Sequence, residues 1–356
     1  MHLAFYISSH GYGHGMRASV IGNCFSEKVT LSIKTLLPEL FFKKELSRQF
    51  SYYPARFDCG CIQTDSVTVD IEKTVQTYML IAERNEAMLG QEVAWCKKNG
   101  VTGILSDIAP FPFEVAHNAG IPSAGISNFS WEDIYEPYVQ VAPEFSPCFK
   151  KIQEQYRMAD LVCALTPPNP MKSFRRRITI PVVGRKGVDR RGEILACYNI
   201  GAGKKLGLIY TGDFGMNTVQ WKNLGNFGDW EFIGLYPLPG NPSNFRLFDK
   251  RDFPYQDLLA SADCMITKIG YGVYAECLIN GLPLVYLPRE NFAEYPFLHR
   301  SVVAWGAGYC IPRKEFYNLQ WGNVLEAVKT TPKPGKKDPS GARICASEIE
   351  TFFNSR

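Results

Sequence analysis

The sequence predicts an α/β protein of two doubly wound, Rossmann-like domains that face each other, with a ligand-binding interdomain cleft. Three observations lead there. Short apolar runs alternate with segments of helical period through both halves of the chain, the pattern of parallel sheets covered by helices. Glycine turns stand directly after apolar runs in each half, at Gly11–Gly13, Gly212–Gly215 and Gly270–Gly272, where an α/β sheet presents its carboxyl edge to ligands. The 356 residues also exceed the roughly 250–300 at which a single core stops growing. The expected division is an N-terminal domain over 1–182, a C-terminal domain over 183–340, and a last helix within 341–356 that packs back on the N-terminal domain.

The first half opens with an apolar strand over His2–Ser8, a loop over Ser9–Gly15 and a helix reaching about Ser26. The loop is a poor dinucleotide fingerprint. After Gly11 and Gly13 the third glycine position holds Met16, and the next strand, Thr30–Thr35, ends without the acidic residue that would take a ribose. His10 and His14 could ligate a metal together with Cys59 and Cys61, but one intervening residue is too few for the usual zinc spacings and no HExxH is present. No metal site is therefore expected. A histidine in this position has a second use as general base, the alternative being a hydrogen bond that merely holds the loop. Arg17, in the first helical turn, opposes the helix dipole, so it is either a phosphate or carboxylate clamp or half of a structural ion pair.

Leu36–Phe50 reads as a helix mixing Phe41, Phe42, Lys43, Lys44 and Arg48, with its charges solvated. A long helix follows over Ile71–Asn99, and a strand over Thr102–Leu105 delivers Asp107 to the same sheet edge as His14. A carboxylate there can hold an imidazole in one tautomer and raise its basicity; a helix N-cap is the competing use. Beyond a helix over Glu114–Ala119 and a strand over Ile121–Ser127, the loop Asn128–Trp131, with Tyr135 and Tyr138 close behind, combines aromatic and polar groups. Such a surface can hold a sugar, although aromatic clusters are more often core. A helix (Phe149–Met158), two strands (Asp160–Leu165, Ile178–Val183), a proline cluster and the solvated run Arg175–Arg177 approach the boundary.

The second half restarts with a helix over Val188–Tyr198, a strand over Lys205–Tyr210, the turn at Gly212 and a helix near Val219–Leu224. Strands at Glu231–Leu235 and Phe245–Phe248 and a helix at Tyr255–Ser261 lead to the most informative stretch, Cys264–Arg289. There a strand, the turn Gly270–Gly272, a helix closing at Asn280–Gly281 and a second strand, Leu282–Leu287, form one parallel unit. Glycines at a helix start admit a ligand to free N–H groups at the positive dipole end, which is an anion site. Lys268 and Arg289 fall at the same carboxyl edge, and Glu276 stands where a carboxylate could reach vicinal sugar hydroxyls. The stretch reads as a nucleotide or sugar-nucleotide site. A helix at Asn291–Trp305, a strand at Gly308–Ile311, a helix at Trp321–Lys329, a polar linker (Thr331–Arg343) and a helix at Ile344–Phe353 close the chain.

Composition narrows the class. Apolar residues at 46% and charged residues at 21% fit a soluble globular protein. No apolar run reaches the ~20 residues of a membrane span and no leader pattern opens the chain, so a cytoplasmic location is expected, peripheral contact with the inner face of a membrane staying open. Eleven scattered cysteines suit reduced, buried thiols rather than a disulfide framework. A net charge of +4 tolerates anionic ligands without arguing for nucleic acid.

The loop His10–Arg17, the segments Ser106–Pro110 and Asn128–Trp131, and the late Gly270–Gly272, Glu276, Leu282–Pro283 and Asn291–Leu298 occur in order along most of the chain. Together they resemble the GT-B glycosyltransferases, most closely the predicted glycosyltransferases with an HGxGHxxR opening that also form the N-terminal region of L-arabinokinase-like proteins. The lipid-linked N-acetylglucosaminyltransferases are similar as well. The resemblance implies a sugar-nucleotide donor, UDP-linked, bound by the C-terminal domain, and an unknown acceptor (glycan, lipid-linked or small molecule) held by the N-terminal one. It implies that His14 is the base and Asp107 its carboxylate partner, and that Glu276 binds the donor ribose. Gly212, Lys268, Gly270, Tyr271, Gly272, Arg289 and Glu294 would complete the donor site, and His10, Gly13, Arg17, Asn128 and Trp131 would meet acceptor or phosphate. Val273 replaces the small hydroxyl residue often found after the glycine turn, leaving backbone N–H groups to hold the diphosphate. The glutamines that read donor hydroxyls in the lipid-linked enzymes are absent around Glu294–Pro296. The implied reaction is a metal-independent, inverting transfer with no cofactor. A sugar-nucleotide 2-epimerase and a sugar- or nucleotide-binding protein without turnover are the alternatives.

Overall fold

The structure is a computed structural model that describes residues 1–65, 67–210 and 218–356. The expected donor contact Gly212 lies outside the described residues. The chain forms two compact units, one of residues 1–62, 69–184 and 340–356, the other of residues 63–68 and 185–339.

In the first unit, β1 (His2–Ile7), α1 (Tyr12–Gly22), β2 (Thr30–Thr35), α2 (Glu39–Glu45), β3 (Phe50–Pro54), α3 (Ile71–Lys98), β4 (Gly103–Asp107), α4 (Phe111–Ala119), β5 (Ser123–Ser127), α5 (Trp131–Tyr135), α6 (Tyr138–Val141), α7 (Ser146–Arg157), β6 (Leu161–Leu165) and β7 (Arg177–Ile180) follow one another. Among the described residues the seven strands pair in the order β3-β2-β1-β4-β5-β6-β7, with every neighbouring pair parallel. The central strands are buried on both faces: β1 is apolar after His2, while β4 and β5 carry their polar residues, Ser106, Asp107, Ser123 and Ser127, toward their ends. Chain order reverses between β1 and β4, whose paired ends are Ile7 and Asp107. The loops leaving those two strands diverge there and open the crevice in which open α/β sheets bind ligands.

The edge strand β3 is a correction to the helix expected over Leu36–Phe50. Only Glu39–Glu45 is helical; Leu46 is extended, and Phe50–Pro54 pairs with β2. Arg48, expected on a solvated face, instead donates to the carbonyls of Gly22 (3.1 Å), Phe25 (2.8 Å), Ser26 (3.0 Å) and Val29. A side chain spent on the carbonyls around the end of α1 holds the chain in the turn that lets β3 begin.

In the second unit, α8 (Arg191–Cys197), β8 (Lys205–Tyr210), β9 (Trp230–Gly234), β10 (Phe245–Leu247), α9 (Tyr255–Ser261), β11 (Cys264–Lys268), α10 (Tyr271–Asn280), β12 (Leu284–Leu287), α11 (Tyr295–Trp305), β13 (Gly308–Cys310), α12 (Arg313–Tyr317) and α13 (Gly322–Thr330) build a parallel sheet ordered β10-β9-β8-β11-β12-β13. Its switch point falls between β8 and β11. The helix expected near Val219–Leu224 is a 3-10 turn over Trp221–Asn226, and α11 starts at Tyr295 rather than Asn291, which takes a left-handed φ of 55°. Segment 63–68, from the first half of the sequence, joins this unit, and Val67 is buried in its core beside Ile209, Trp221 and Trp321.

The last helix, α14 (Gly341–Asn354), lies in the first unit. It begins three residues before the expected Ile344 because Gly341 can pass close to β7's exit: a Cβ there would sit 2.2 Å from the Val182 carbonyl oxygen. Cys345, Ile349, Phe352 and Phe353 are buried, and Glu350 accepts bonds from the Ser26 amide (2.6 Å) and hydroxyl (2.7 Å). No helix among the described residues is long and apolar enough to cross a membrane.

Candidate active site

The switch point of the first unit carries a buried charged cluster. Gly11, which has no side chain to cap with, precedes α1, so the helix starts at once and puts His14 and Arg17 one turn apart on its inner face. Asp107 ends β4. His14 Nδ1 lies 2.7 Å from Asp107 Oδ1, and Arg17 Nε donates to Asp107 Oδ2 at 2.5 Å while its Nη2 donates to Oδ1. Arg17 also donates to Asn128 Oδ1 and to Ser127 Oγ, each at 3.0 Å. All five side chains are buried, with His14 7% exposed.

Burial alone would push the Asp107 carboxyl up, but the charge of Arg17 first, then the electrostatic pull of the His14 ring and the hydrogen bonds from both, hold it below its usual value. Asp107 is therefore an ionised acceptor. A carboxylate oxygen 2.7 Å from Nδ1 requires that nitrogen to carry the hydrogen, which leaves Nε2 with its lone pair. His10 has the opposite arrangement. Its Nδ1 accepts from the Cys61 amide at 3.2 Å, so in the neutral ring the hydrogen is on Nε2. The two rings stand edge to face with centroids 6.1 Å apart. His10 is cradled by Gly60, which has φ +61° and where a Cβ would fall 2.2 Å from the imidazole.

Trp131 corrects an expectation. It is fully buried, stacks on Tyr135 at 5.4 Å and lies against both histidines, so it is packing beneath the site rather than an open face for a sugar. Its indole N–H donates at 2.8 Å to Asp58, which also accepts from Ser8 Oγ at 2.9 Å. Asn128 is likewise buried against Arg17, and Arg17 forms the structural ion pair rather than an open clamp. Asp58 was not legible as a site residue, since it sits in the irregular stretch after β3. Burial pushes its carboxyl up despite Trp131, His14 and Ser8, and burial, then the Asp58 charge, pushes the Cys59 thiol to about 12. Cys59 is thus a neutral core thiol, and among the described residues no three His, Cys, Asp or Glu side chains gather as a metal site would need.

Because the folded Asp58 carboxyl is raised, its contribution is most favourable below the unfolded value of 3.8 and is lost as pH rises through the folded one. Asparagine can accept from the indole and donate to Ser8. Asp58→Asn is therefore expected to gain stability relative to wild type between about pH 4 and pH 7 in urea unfolding. An unchanged gap across that range would mean that Asp58 does not titrate with folding.

In the second unit, Lys268 ends β11 and donates to Gln63 Oε1 at 3.4 Å. Gly270 is the N-cap of α10, and with no capping side chain the first-turn amides stand at the positive end of a ten-residue helix. Tyr271 is buried and Gly272 half-buried in that first turn. Gly13, in α1 of the first unit, borders open space: a methyl group there would meet nothing within 4 Å. Glu276, on the inner side of α10, accepts from Arg185 Nε at 2.6 Å. Arg289 stacks on Phe292, 3.8 Å from its centroid, and approaches Glu294 at 3.9 Å. Arg185 and Gln63 are partners that the sequence did not reveal, because each comes from chain distant from the motif it supports.

No protein-family profile matches the chain. Over 341 residues it is 30% identical to L-arabinokinase of Arabidopsis thaliana, a match covering 92% of this chain and 32% of that protein. Over 86 residues it is 33% identical to UDP-N-acetylglucosamine--N-acetylmuramyl-(pentapeptide) pyrophosphoryl-undecaprenol N-acetylglucosamine transferase of Deinococcus deserti, covering 24% of this chain and 22% of that one. The chain thus spans about a third of the length of the first relative and less than a quarter of the second. The crystal structure of the glycotransferase of kitacinnamycin superposes with a TM-score of 0.63 at 17% identity, over 99% of this chain and 95% of its own. Two parallel sheets with these strand orders and this likeness define the class: the chain has the GT-B fold of glycosyltransferases.

Proposed function

We propose that the protein transfers a sugar from a nucleotide-sugar donor, UDP-linked, to an acceptor hydroxyl, with inversion and without a metal. The observation that carries this reading is the His14–Asp107 pair at the switch point of the first sheet, with Nε2 left as a base. In the proposed step Nε2 takes the acceptor proton as the acceptor oxygen attacks the anomeric carbon. The bond from that carbon to the diphosphate breaks, and the nucleoside diphosphate leaves with the electron pair. The first-turn amides of α10 and the Lys268 ammonium offset the charge that grows there, with Tyr271 and Gly272 in that turn and Arg289 and Glu294 beyond β12 completing the donor site. Glu276 reads the ribose, so a bound ribose shares its carboxylate with Arg185. The UDP assignment is supported by the name of the Deinococcus relative, whose matched segment is short. The acceptor is left as a hydroxyl compound.

A thermal-shift panel of UDP-, GDP-, ADP- and dTDP-sugars on wild type and Glu276→Gln tests the donor half. A ligand of the native state stabilises by about 2.7 kcal/mol at a hundred times its Kd. The expected result is a rise in Tm with UDP-sugars that shrinks in the variant. No shift with any of them at millimolar concentration would remove the donor assignment.

A further inference from the structure

Resting on the reading of His14 as the base, we propose that Arg17 is a positioning residue that keeps His14 unprotonated at Nε2, by clamping Asp107 from the side and by its own positive charge. Arg17 reaches both carboxylate oxygens, through Nε to Oδ2 and Nη2 to Oδ1, so the carboxylate plane cannot rotate away from Nδ1. Its Nη1 and Nη2 are fixed in turn by Asn128 on the loop after β5 and Ser127 at the end of β5. The Nη2 to Nδ1 distance is only 3.0 Å. Two donors therefore converge on the one oxygen, Oδ1.

The charge count gives the consequence. An isolated carboxylate–imidazole pair is −1 and becomes neutral when it takes a proton, which burial favours. With Arg17 included, the group is neutral at rest and becomes +1 on protonation, which burial opposes. The other ionisable groups facing His14 are Asp58, held as an acceptor for Trp131 and Ser8, and His10, whose ring abuts it edge-on. On the α14 side of Asp107, Cys345 is a buried thiol pushed well up by burial. None of these replaces a guanidinium in contact with both members of the pair. The same clamp that orients the base thus opposes adding a further positive charge to the buried cluster.

The test reads the histidine ring and needs no substrate. The protein has five histidines, so selective isotope labelling with His14→Gln for assignment isolates the His14 signals in a pH titration by NMR. The wild type is expected to show His14 as the Nδ1–H tautomer. In Arg17→Gln the His14 midpoint is expected to move up by about one pH unit or more, a tenfold gain in proton affinity, whereas Arg17→Lys keeps the charge and stays near wild type. A midpoint unchanged or lowered in Arg17→Gln, or an Nε2–H tautomer in wild type, overturns the proposal. Should Arg17→Gln not fold, Arg17→Lys decides: one ammonium cannot bridge both oxygens, so a mixture of tautomers is expected, and an unaltered pure Nδ1–H signal would overturn the clamp. The midpoint result stands apart from turnover, so a failed charge argument is distinguishable from a failed base assignment, which would show as His14→Ala retaining full activity.

Discussion

Replacing His14 with alanine is expected to lower turnover by about 10²- to 10⁴-fold, the range for losing a positioned general base, while leaving donor binding in place. The reason lies in how few bases the site offers. Asp107 is committed to Arg17 and to His14 Nδ1–H, and Asp58 to Trp131 and Ser8. His10 is the neighbouring histidine, but its Nδ1 already accepts the Cys61 amide, so in the neutral ring Nε2 carries the hydrogen and donates rather than accepts. The proposed donor contacts, the α10 amides and Lys268, come from elements other than α1, so donor binding is expected to survive the substitution. The measurement is nucleoside diphosphate release from the sugar nucleotide that shifts Tm, followed in parallel with its Tm shift. A variant that keeps both would sink His14 as the base. Loss of turnover together with loss of the Tm shift would show that the residue supports the donor site instead.

How much of this site could be read in the sequence depended on whether a residue's place follows from a strand. Asp107 was readable because a strand ending at a fixed position puts its last side chain on the carboxyl edge, and His14 because a glycine loop after the first strand must open onto the same edge. The structure brings those two side chains into contact. The sequence leaves Arg17 between two uses because a helical residue pointing inward meets whatever the sheet provides, and only the three-dimensional arrangement shows that it meets Asp107. Trp131 looked like a binding surface from its polar neighbours in sequence, yet its neighbours in space are Asp58, Tyr135 and two histidines. Asp58 and Arg185 were invisible for the same reason, since neither lies at the end of a predicted element. The missed strand β3 had a local cause: Arg48 and the aromatic run continue a plausible helical pattern, and the chain turns because distant carbonyls capture the guanidinium.

Asp107→Ala is expected to cost about 3–5 kcal/mol of stability near neutral pH, because it leaves the Arg17 guanidinium buried beside an imidazole with no counter-charge. Asn128 and Ser127 would still accept from Arg17, but they are neutral and cannot offset the desolvated charge. The sign of the pH dependence follows from the depressed carboxyl. A group whose folded value lies below its unfolded one, 3.8 for this carboxyl, contributes its stability above the unfolded value and loses it as pH falls through the folded value. The gap between wild type and Asp107→Ala should therefore be widest at neutral pH and narrow below about pH 4 as the wild type itself takes up the proton. The double variant Arg17→Met/Asp107→Ala removes both charges, and it should be more stable than Asp107→Ala alone, since what the single change leaves behind is the unpaired cation rather than a lost contact. Urea unfolding of the three proteins across that pH range reads all of this. A gap under about 1 kcal/mol with no pH dependence would mean that water reaches Arg17 once the carboxylate is gone, and that the cluster is less buried than its contacts indicate.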